Sequence, residues 1–268
     1  MIQNVTRDKL YPEGKPVDLE EEFGVEKIGP NLYRGKKPIA KPDKRSRGAF
    51  GGFLAGQALV VAIESVPKEF KPHSFHSYFV KAVDDLAPLE WAVDEVSNGR
   101  NYANRSLKAY QYETLFIPPM LSLEDTREED NISPAERQLS WYFKWGIENE
   151  GDFHQPLANL DSKYQYVGMA SLTDTVYLTR LLRILRIEDA DHSQFIHYFS
   201  VSLDHTIYFH DDDFDVTKWM SFTFKVTRFS HNRALCQGEV YNDKGVHVAT
   251  IVQEGLVMLN GLEEGAKL

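Results

Sequence analysis

The sequence predicts an α+β protein made of two related halves. Two tryptophans are each followed, at the same spacing, by an Asn-Arg pair: Trp91 by residues 104–105 and Trp219 by residues 232–233. Each tryptophan also follows a segment of helical character and then an aromatic strand. One helix packed on an antiparallel sheet in each half is an α+β layer arrangement.

The first half is predicted to contain a helix over 49–66, "AFGGFLAGQALVVAIESV", then a strand over 73–80 and further strands from Trp91. The tetrapeptide "SNGR" at 97–100 places Asn-Gly between two of these strands. Asn-Gly favours the positive φ angles of a tight turn, so we expect a hairpin here.

The second half is predicted to repeat this order, with a helix over 171–185, "SLTDTVYLTRLLRIL", a strand over 200–210 and further strands from Trp219. The segment "YNDKGVHV" at 241–248 supplies a second, slightly longer turn. Each half is therefore expected to hold one helix and about four antiparallel strands.

An acidic segment, "LEDTREEDNISPAERQ" at 123–138, separates the halves. It is predicted to be a solvated linker because it is highly charged and contains a proline. The predicted domains are therefore 1–122 and 139–268, the second of which includes a C-terminal targeting tail.

Composition excludes several classes of protein. The chain has 268 residues, of which 42% are hydrophobic, so a sizeable core is available. The net charge of −10 argues against nucleic-acid binding, which requires clustered Lys and Arg. No stretch approaches the roughly 18 apolar residues of a membrane span, and the polar N-terminal segment lacks the apolar region of a secretory signal. The single cysteine, Cys236, fits a reducing compartment.

Several catalytic motifs are missing from the sequence. It has no Gly-x-Ser-x-Gly elbow, so a serine esterase is not expected. The glycines of "RGAFGGFLAGQAL" lack phosphate-loop spacing and are expected to let the first helix start close against a sheet or ligand. Strand alternation places His73 and His76 on opposite faces, so a shared metal is not expected.

Asp174 shares the apolar stripe of the second predicted helix with Leu178, Leu181, Leu182 and Leu185. This places it at the N-terminal end of the core-facing side. It is either a first-turn or capping residue favoured by the helix dipole, or a general base beside a buried pocket. Spacing alone favours the first explanation.

Gln253 lies in a strand, "HVATIVQEG" at 247–255, whose two faces are both apolar. Such a strand is predicted to be central in its sheet, so the amide of Gln253 must be buried and hydrogen-bonded. Alternation places Ser202 on the polar face of its own strand, beside Asp204 and Thr206. A polar face of an antiparallel sheet more commonly contacts water, although it could also line a site.

The chain resembles the type II acyl-CoA thioesterases from Gly29 to Met258. The resemblance rests on "AFGGFLAGQALVVAIESVP", "HSFHSYFVKAVD" and "NGRNYANRSLKAY" in the first half, and on "DHTIYFH", "TKWMSFTF" and "GEVYNDKGVHVATIVQEG" in the second. It implies a double hotdog fold, with two long helices each wrapped by an antiparallel β-sheet. It also implies hydrolysis of fatty acyl-CoA to free fatty acid and CoA, with no metal or cofactor.

The same resemblance implies a catalytic site. The family's helix Asp falls on Asp174, its strand hydroxyl on Ser202 and its strand Gln on Gln253. These three side chains would hold a water that attacks the thioester directly. The acyl chain would lie in an apolar channel between helix and sheet.

The CoA phosphates would need local basic groups despite the acidic total charge. Lys44, Arg45, Arg47 and Arg100 are the candidates, and solvated surface is the alternative explanation for them. Open sheet edges in hotdog folds often pair, so a homo-oligomer is possible.

The sequence ends in Ala266, Lys267 and Leu268, a variant of the Ser-Lys-Leu peroxisomal address. Together with acyl-CoA chemistry, it predicts a peroxisomal location and recognition by the peroxisomal import receptor.

Two other functions stay open at the level of sequence. An enoyl-CoA hydratase would need an Asp-His pair, which His205 or His197 could complete with Asp174 in space. Alternatively, the chain could bind acyl-CoA without turning it over.

Overall fold

The computed structural model describes residues 16–41, 46, 48–111, 120–125, 135–150, 153–178, 181–185 and 198–259. Its helices are α1 (Leu19–Phe23), α2 (Gly51–Glu64), α3 (Ser162–Val176) and α4 (Leu181–Ile184). Its strands are β1 (Val17–Asp18), β2 (Val25–Gly29), β3 (Leu32–Gly35), β4 (Ser74–Tyr78), β5 (Leu89–Asn98), β6 (Ala103–Gln111), β7 (Met120–Asp125), β8 (Leu139–Trp145), β9 (Ile147–Glu150), β10 (Phe153–Gln155), β11 (Leu157–Ala158), β12 (Tyr198–Ser202), β13 (Asp204–Phe209), β14 (Met220–Ser230), β15 (Arg233–Tyr241) and β16 (His247–Leu259).

The repeated order of helix, strand and hairpin is present in both halves. Helix α2 confirms the prediction for 49–66, and β5 and β6 meet at the predicted Asn-Gly turn, where the amide of Gly99 donates to the carbonyl of Tyr102 at 2.8 Å. The predicted second turn joins β15 to β16, with Gly245 at a φ of 76°. A positive φ is unstrained only for a residue without a Cβ, which explains the glycine there.

The second long helix lies earlier in the chain than predicted. It begins at Ser162 and ends at Val176, so the prediction of one helix over 171–185 is wrong about where the helix starts and about its continuity. Residues 171–176 are the end of α3, and residues 181–184 form the separate helix α4. The leucines at 181 and 185 belong to α4 and the turn after it, where both are buried. The apolar stripe therefore runs across two helices that bury their leucines against the same core.

Glycines let α2 and α3 pack at very short range. A Cβ on Gly52 would lie 2.8 Å from Cα of Ser171, and a Cβ on Gly56 would lie 2.7 Å from Cγ1 of Val167. These two glycines therefore face another helix, and not the sheet or ligand expected from the sequence. Only a residue without a side chain allows backbones to approach this closely.

Gly52→Ala is expected to destabilise the fold by about 1–3 kcal/mol, because the backbone of α3 must move to accept the new methyl group. Gly29→Ala is the matched control, since a Cβ there has only an ordinary contact of 3.6 Å with Leu32. Chemical denaturation measures both. Equal changes in the free energy of unfolding would show that the helix contact does not limit stability.

The two halves share a sheet. Within the described residues, one sheet has the strand order β4-β13-β16-β15-β14-β8-β7, with β12 also paired to β16, and another has the order β2-β3-β5-β6. Strand β4 of the first half pairs antiparallel with β13 of the second, with His76 opposite Thr206. The structure therefore does not show two helices that are each wrapped by a separate sheet.

The predicted linker begins inside a strand. Residues 123–125 form the end of β7, which pairs antiparallel with β8. Residues 126–134 of the predicted linker lie outside the described residues. In the part of the chain that the structure describes, no helix is long and apolar enough to cross a membrane.

Candidate active site

Gln253 occupies the middle of the larger sheet. Strand β16 lies between β15 on one side and β12 and β13 on the other, and Gln253 is opposite Cys236. The side chain is fully buried, as predicted from the two apolar faces. Its Nε2 donates to Oδ1 of Asp174 at 2.6 Å and to Oγ of Ser202 at 2.7 Å. Since a carboxylate can only accept, the orientation of the Gln253 amide is fixed by chemistry.

Ser202 lies on the same inner face, and not on a water-facing one. It is opposite Gly255, whereas Ile207 is opposite Ile251, and both partners are buried residues of β16. Ser202 and Ile207 are five residues apart, so a regular strand would place them on opposite faces. They share a face because the chain bends at Leu203, between β12 and β13. Such an irregularity reverses which side chains point inward. The expectation that Ser202 faces water is therefore wrong.

Asp174 lies in the last turn of α3, which excludes the first-turn explanation. The residue at the N-cap position is Asp161, at the opposite end of the helix. A carboxylate at a helix C-terminus faces the negative end of the dipole, so this position is unfavourable for it. Asp174 is nevertheless only 6% exposed. A charge held against both effects needs compensating partners.

The compensating partners come from two directions. Oδ1 of Asp174 accepts hydrogen bonds from Oγ of Ser202 at 2.8 Å and from Nε2 of Gln253. Oδ2 faces the N-terminus of α2, because a Cβ on Gly51 would lie 3.0 Å from it and 3.2 Å from Cζ of Phe79. The N-cap residue Phe50 makes no side-chain capping bond, and the positive end of the α2 dipole lies beside this carboxylate.

The three predicted residues therefore form a closed triangle of hydrogen bonds. Asp174, Ser202 and Gln253 come from three separate elements, α3, β12 and β16. Their polar atoms are 2.6–2.8 Å apart. In this triangle Oδ1 is occupied by two donors and Oδ2 takes no part. The arrangement offers one carboxylate oxygen as a base beside a helix N-terminus.

The cysteine opposite Gln253 is not a nucleophile. Cys236 is fully buried, and this burial raises the pKa of its thiol to about 12. Reaction with a thioester requires the thiolate, so Cys236 is a packing residue of the core.

His205 does not form the pair that a hydratase would need. Its Nε2 lies 3.2 Å from Oγ1 of Thr173, the residue before Asp174. The side chain is fully buried, and burial lowers its pKa even though the charges of Asp174 and Asp204 oppose this. The other candidate, His197, lies outside the described residues.

Of the predicted phosphate-binding residues, Arg100 alone lies in the part of the chain that the structure describes. Lys44, Arg45 and Arg47 lie outside the described residues, as do residues 266–268. Arg100 is exposed in the turn between β5 and β6 and takes no part in the hydrogen bonds of the triangle.

Two family models match the chain. One, described as the acyl-CoA thioesterase N-terminal domain, matches residues 41–122, and the other, described as the acyl-CoA thioesterase C-terminal domain, matches residues 119–257. Together they cover well over half of the chain.

Curated relatives match over most of their length. The peroxisomal acyl-coenzyme A thioester hydrolase 1 of Saccharomyces cerevisiae is 24% identical, over 90% of this chain and 94% of that protein. Human acyl-coenzyme A thioesterase 8 is 26% identical, over 92% of this chain and 90% of that protein.

Solved structures share the fold. An acyl-CoA thioesterase II from Mycobacterium marinum matches with a TM-score of 0.65 at 21% identity, over 91% of this chain and 98% of that chain. A protein described as having a hot dog fold, from Alicyclobacillus acidocaldarius, matches with a TM-score of 0.62 at 16% identity, over 90% and 97% of the two chains. The predictions of an α+β class and a hotdog fold are confirmed.

Proposed function

The chain belongs to the acyl-CoA thioesterase family, and from this premise we propose that Asp174, Ser202 and Gln253 are its catalytic site. The protein is an acyl-CoA thioester hydrolase. The observation that carries the proposed site is the triangle of hydrogen bonds, which joins residues of three elements far apart in the sequence.

In the proposed reaction, Oδ2 of Asp174 accepts a proton from a water molecule whose oxygen attacks the acyl carbonyl carbon. Oδ1 is the less available base, because Ser202 and Gln253 already donate to it. The tetrahedral intermediate then expels the CoA sulfur as the C–S bond breaks, and the proton passes to the thiolate or to solvent. General-base help of this kind contributes about 10²–10⁴-fold to a rate.

The oxyanion needs donors that are in place before the reaction. The backbone N–H groups of Gly51 and Gly52 are the first of α2, and the next two, of Phe53 and Leu54, donate to the carbonyl of Phe50. We assign the N–H groups of Gly51 and Gly52 as the donors to the oxyanion. Gly51 lies beside Oδ2 of Asp174, so an acyl carbonyl attacked by the water at Oδ2 would sit near this helix end. The positive end of the α2 dipole supports the same assignment.

The acyl chain is proposed to follow α2 away from the triangle. A groove of about 1480 Å³ lies between α2 and strands β4 and β6, and its α2 side is lined by Leu54, Ala58 and Ala62. Phe79 lines the groove and also stands beside Gly51, so it connects the groove with the proposed reaction centre. This apolar α2 side of the groove suits a fatty acyl chain.

The function is tested by the release of free thiol from a series of acyl-CoA esters that runs from short to very long chains. We expect CoA release from at least part of the series, with KM falling as the chain lengthens until the groove is filled. A folded protein that binds these esters and releases no thiol would support the non-catalytic alternative. Hydration of enoyl-CoA is not favoured, because His205 contacts Thr173 and not Asp174.

Direct attack by water is tested at Ser202. Its hydroxyl already donates to Asp174, and among the described residues its side chain is hydrogen-bonded to Asp174 and Gln253, with no histidine to act as its base. Ser202→Ala is therefore expected to keep roughly 1–10% of the rate, and Ser202→Thr most of it. A complete loss in both variants, with a burst of acyl-enzyme in the wild type, would instead show Ser202 to be the nucleophile.

A peroxisomal location is also part of the proposal. It is supported by the name of the yeast relative and by the tripeptide at 266–268. A fluorescent protein fused to the N-terminus is expected to coincide with a peroxisomal marker, and to become diffuse when residues 266–268 are deleted. Coincidence that survives the deletion would remove the tripeptide and the import receptor it would bind from the proposal.

A further inference from the structure

Asp204 and His205, which follow the bend at Leu203, contact residues that are adjacent in sequence to Gln253 and Asp174. Oδ1 of Asp204 accepts a hydrogen bond from the backbone N–H of Glu254, the residue after Gln253, at 2.5 Å. Nε2 of His205 lies 3.2 Å from Oγ1 of Thr173, the residue before Asp174. One dipeptide therefore contacts the sequence neighbours of two members of the triangle, Gln253 and Asp174.

The hydrogen bonds around Thr173 show that Nε2 of His205 carries a proton. Oγ1 of Thr173 donates its hydrogen to the carbonyl of Met169 at 2.8 Å. A hydroxyl has one hydrogen, so the contact with His205 can only be a bond that Nε2–H donates to Oγ1. Nε2 of His205 therefore carries a proton, and Nδ1 is a buried ring nitrogen for which the described residues provide no hydrogen-bond partner.

Asp204 replaces backbone pairing that the bend interrupts. Regular pairing of β16 with β12 and β13 breaks between Ser202 and Thr206, which leaves the backbone N–H and C=O of Glu254 without a strand partner on that side. The N–H of Leu203 donates to the carbonyl of Glu254 at 2.9 Å, and Asp204 accepts from its N–H. Glu254 is therefore held at both of its backbone polar groups.

We propose that Asp204 and His205 are positioning residues for thioester hydrolysis, which hold Gln253 and Asp174 in register with Ser202. The inference rests on the proposed function. Neither side chain belongs to the triangle itself, and each acts through a neighbour: Asp204 through Glu254, and His205 through Thr173.

The site needs such support because two of its members stand where regular structure ends. Asp174 is in the last turn of α3, where intrahelical hydrogen bonds run out. Gln253 lies beside the interruption in strand pairing. Catalytic groups must be held to within about 0.5 Å, and a displacement of about 1 Å can cost 10²-fold in rate.

The test compares pairs of variants in the full chain, one that removes the hydrogen bond and one that restores it. His205→Phe removes the donor, whereas His205→Gln carries an amide N–H at similar reach. Asp204→Ala removes the acceptor, whereas Asp204→Asn keeps a neutral oxygen for the N–H of Glu254. The readouts are kcat and KM for thiol release from the best substrate of the series, and the midpoint of thermal unfolding.

We expect kcat to fall about 10–100-fold in His205→Phe and Asp204→Ala, with KM changed less than about threefold, because substrate contacts remain while the base is displaced. His205→Gln and Asp204→Asn should recover kcat to within about threefold of wild type. Thr173→Val should reproduce the loss of His205→Phe, and the double variant should lose no more than either single one.

The matched control is Asn242→Ala, which removes another nearly buried side chain that ties backbone groups, in the turn between β15 and β16. It should lower the unfolding midpoint and leave kcat unchanged. The proposal is overturned if Asp204→Ala and Thr173→Val keep wild-type kcat. It is also overturned if Asp204→Asn and His205→Gln restore stability without restoring kcat. If His205→Phe does not fold, the kcat of Thr173→Val tests the role of His205 in its place. Loss of activity in Asp174→Asn alone would leave the proposed function intact and remove only the positioning role.

Discussion

Asp174→Asn is expected to lower kcat about 10³-fold while KM stays within about threefold of wild type. Asn has the shape of Asp and keeps an oxygen that can accept from Ser202 and Gln253, so the triangle survives. The atom at the position of Oδ2 becomes an amide nitrogen, which carries hydrogens and cannot accept a proton from water. The expected loss is therefore of chemistry and not of fold.

The same substitution at the other end of α3 provides the control. Asp161 is exposed at the N-cap position and its side chain makes no capping bond there, so Asp161→Asn should leave kcat unchanged. Thiol release measured at saturating substrate compares the two variants. An Asp174→Asn protein with the unfolding midpoint and kcat of wild type would remove Asp174 from the proposed mechanism.

The fold was largely predictable because its main signals are local. Helix α2 and the two hairpin turns are determined by short runs of apolar residues and by Asn-Gly or Gly, which have the same preference in any context. The start of α3 was not predictable in this way. The middle of α3, at Val167 and Ser171, packs against the glycines of α2, and that contact joins residues far apart in the chain.

The site shows the same division. The burial of Gln253 followed from two apolar strand faces, which are a local pattern. The orientation of Ser202 depends on the bend at Leu203, which reverses the alternation and has no signature in the sequence. The place of Asp174 in its helix depends on where α3 begins. Because the start of the helix was predicted too late in the chain, Asp174 was expected at the positive end of the dipole, whereas it lies at the negative end.

Two features of the site were not predicted from the sequence: the proposed positioning role of Asp204, and the proximity of Gly51 to Asp174. A faint signal existed for the first, because a second carboxylate and a histidine follow Ser202 within three residues. No local pattern reports the second, since Gly51 and Asp174 meet only when α2 and α3 pack together.

Gln253→Leu is expected to lower kcat about 10²-fold with little change in KM, because Leu removes the amide that donates to both Asp174 and Ser202. Oδ1 would then keep Ser202 as its remaining donor in the triangle, and the carboxylate would be free to rotate away from α2. Leu is similar to Gln in size and suits the apolar surroundings, so the unfolding midpoint should change little.

Gln237→Leu is the control for Gln253→Leu, since Gln237 is exposed on the neighbouring strand β15 and should tolerate the change. Gln253→Glu separates the two roles of the amide. A second carboxylate beside Asp174 repels its charge, so one of the pair must hold a proton and the acid limb of kcat against pH should move to higher pH. If Gln253→Leu loses activity and Gln253→Glu recovers it at high pH, where an ionised Glu has no hydrogen to donate, the site needs a polar side chain at 253 and not the hydrogen bonds that Nε2 donates. If neither recovers, the two hydrogen bonds that Nε2 donates are what hold the base in place.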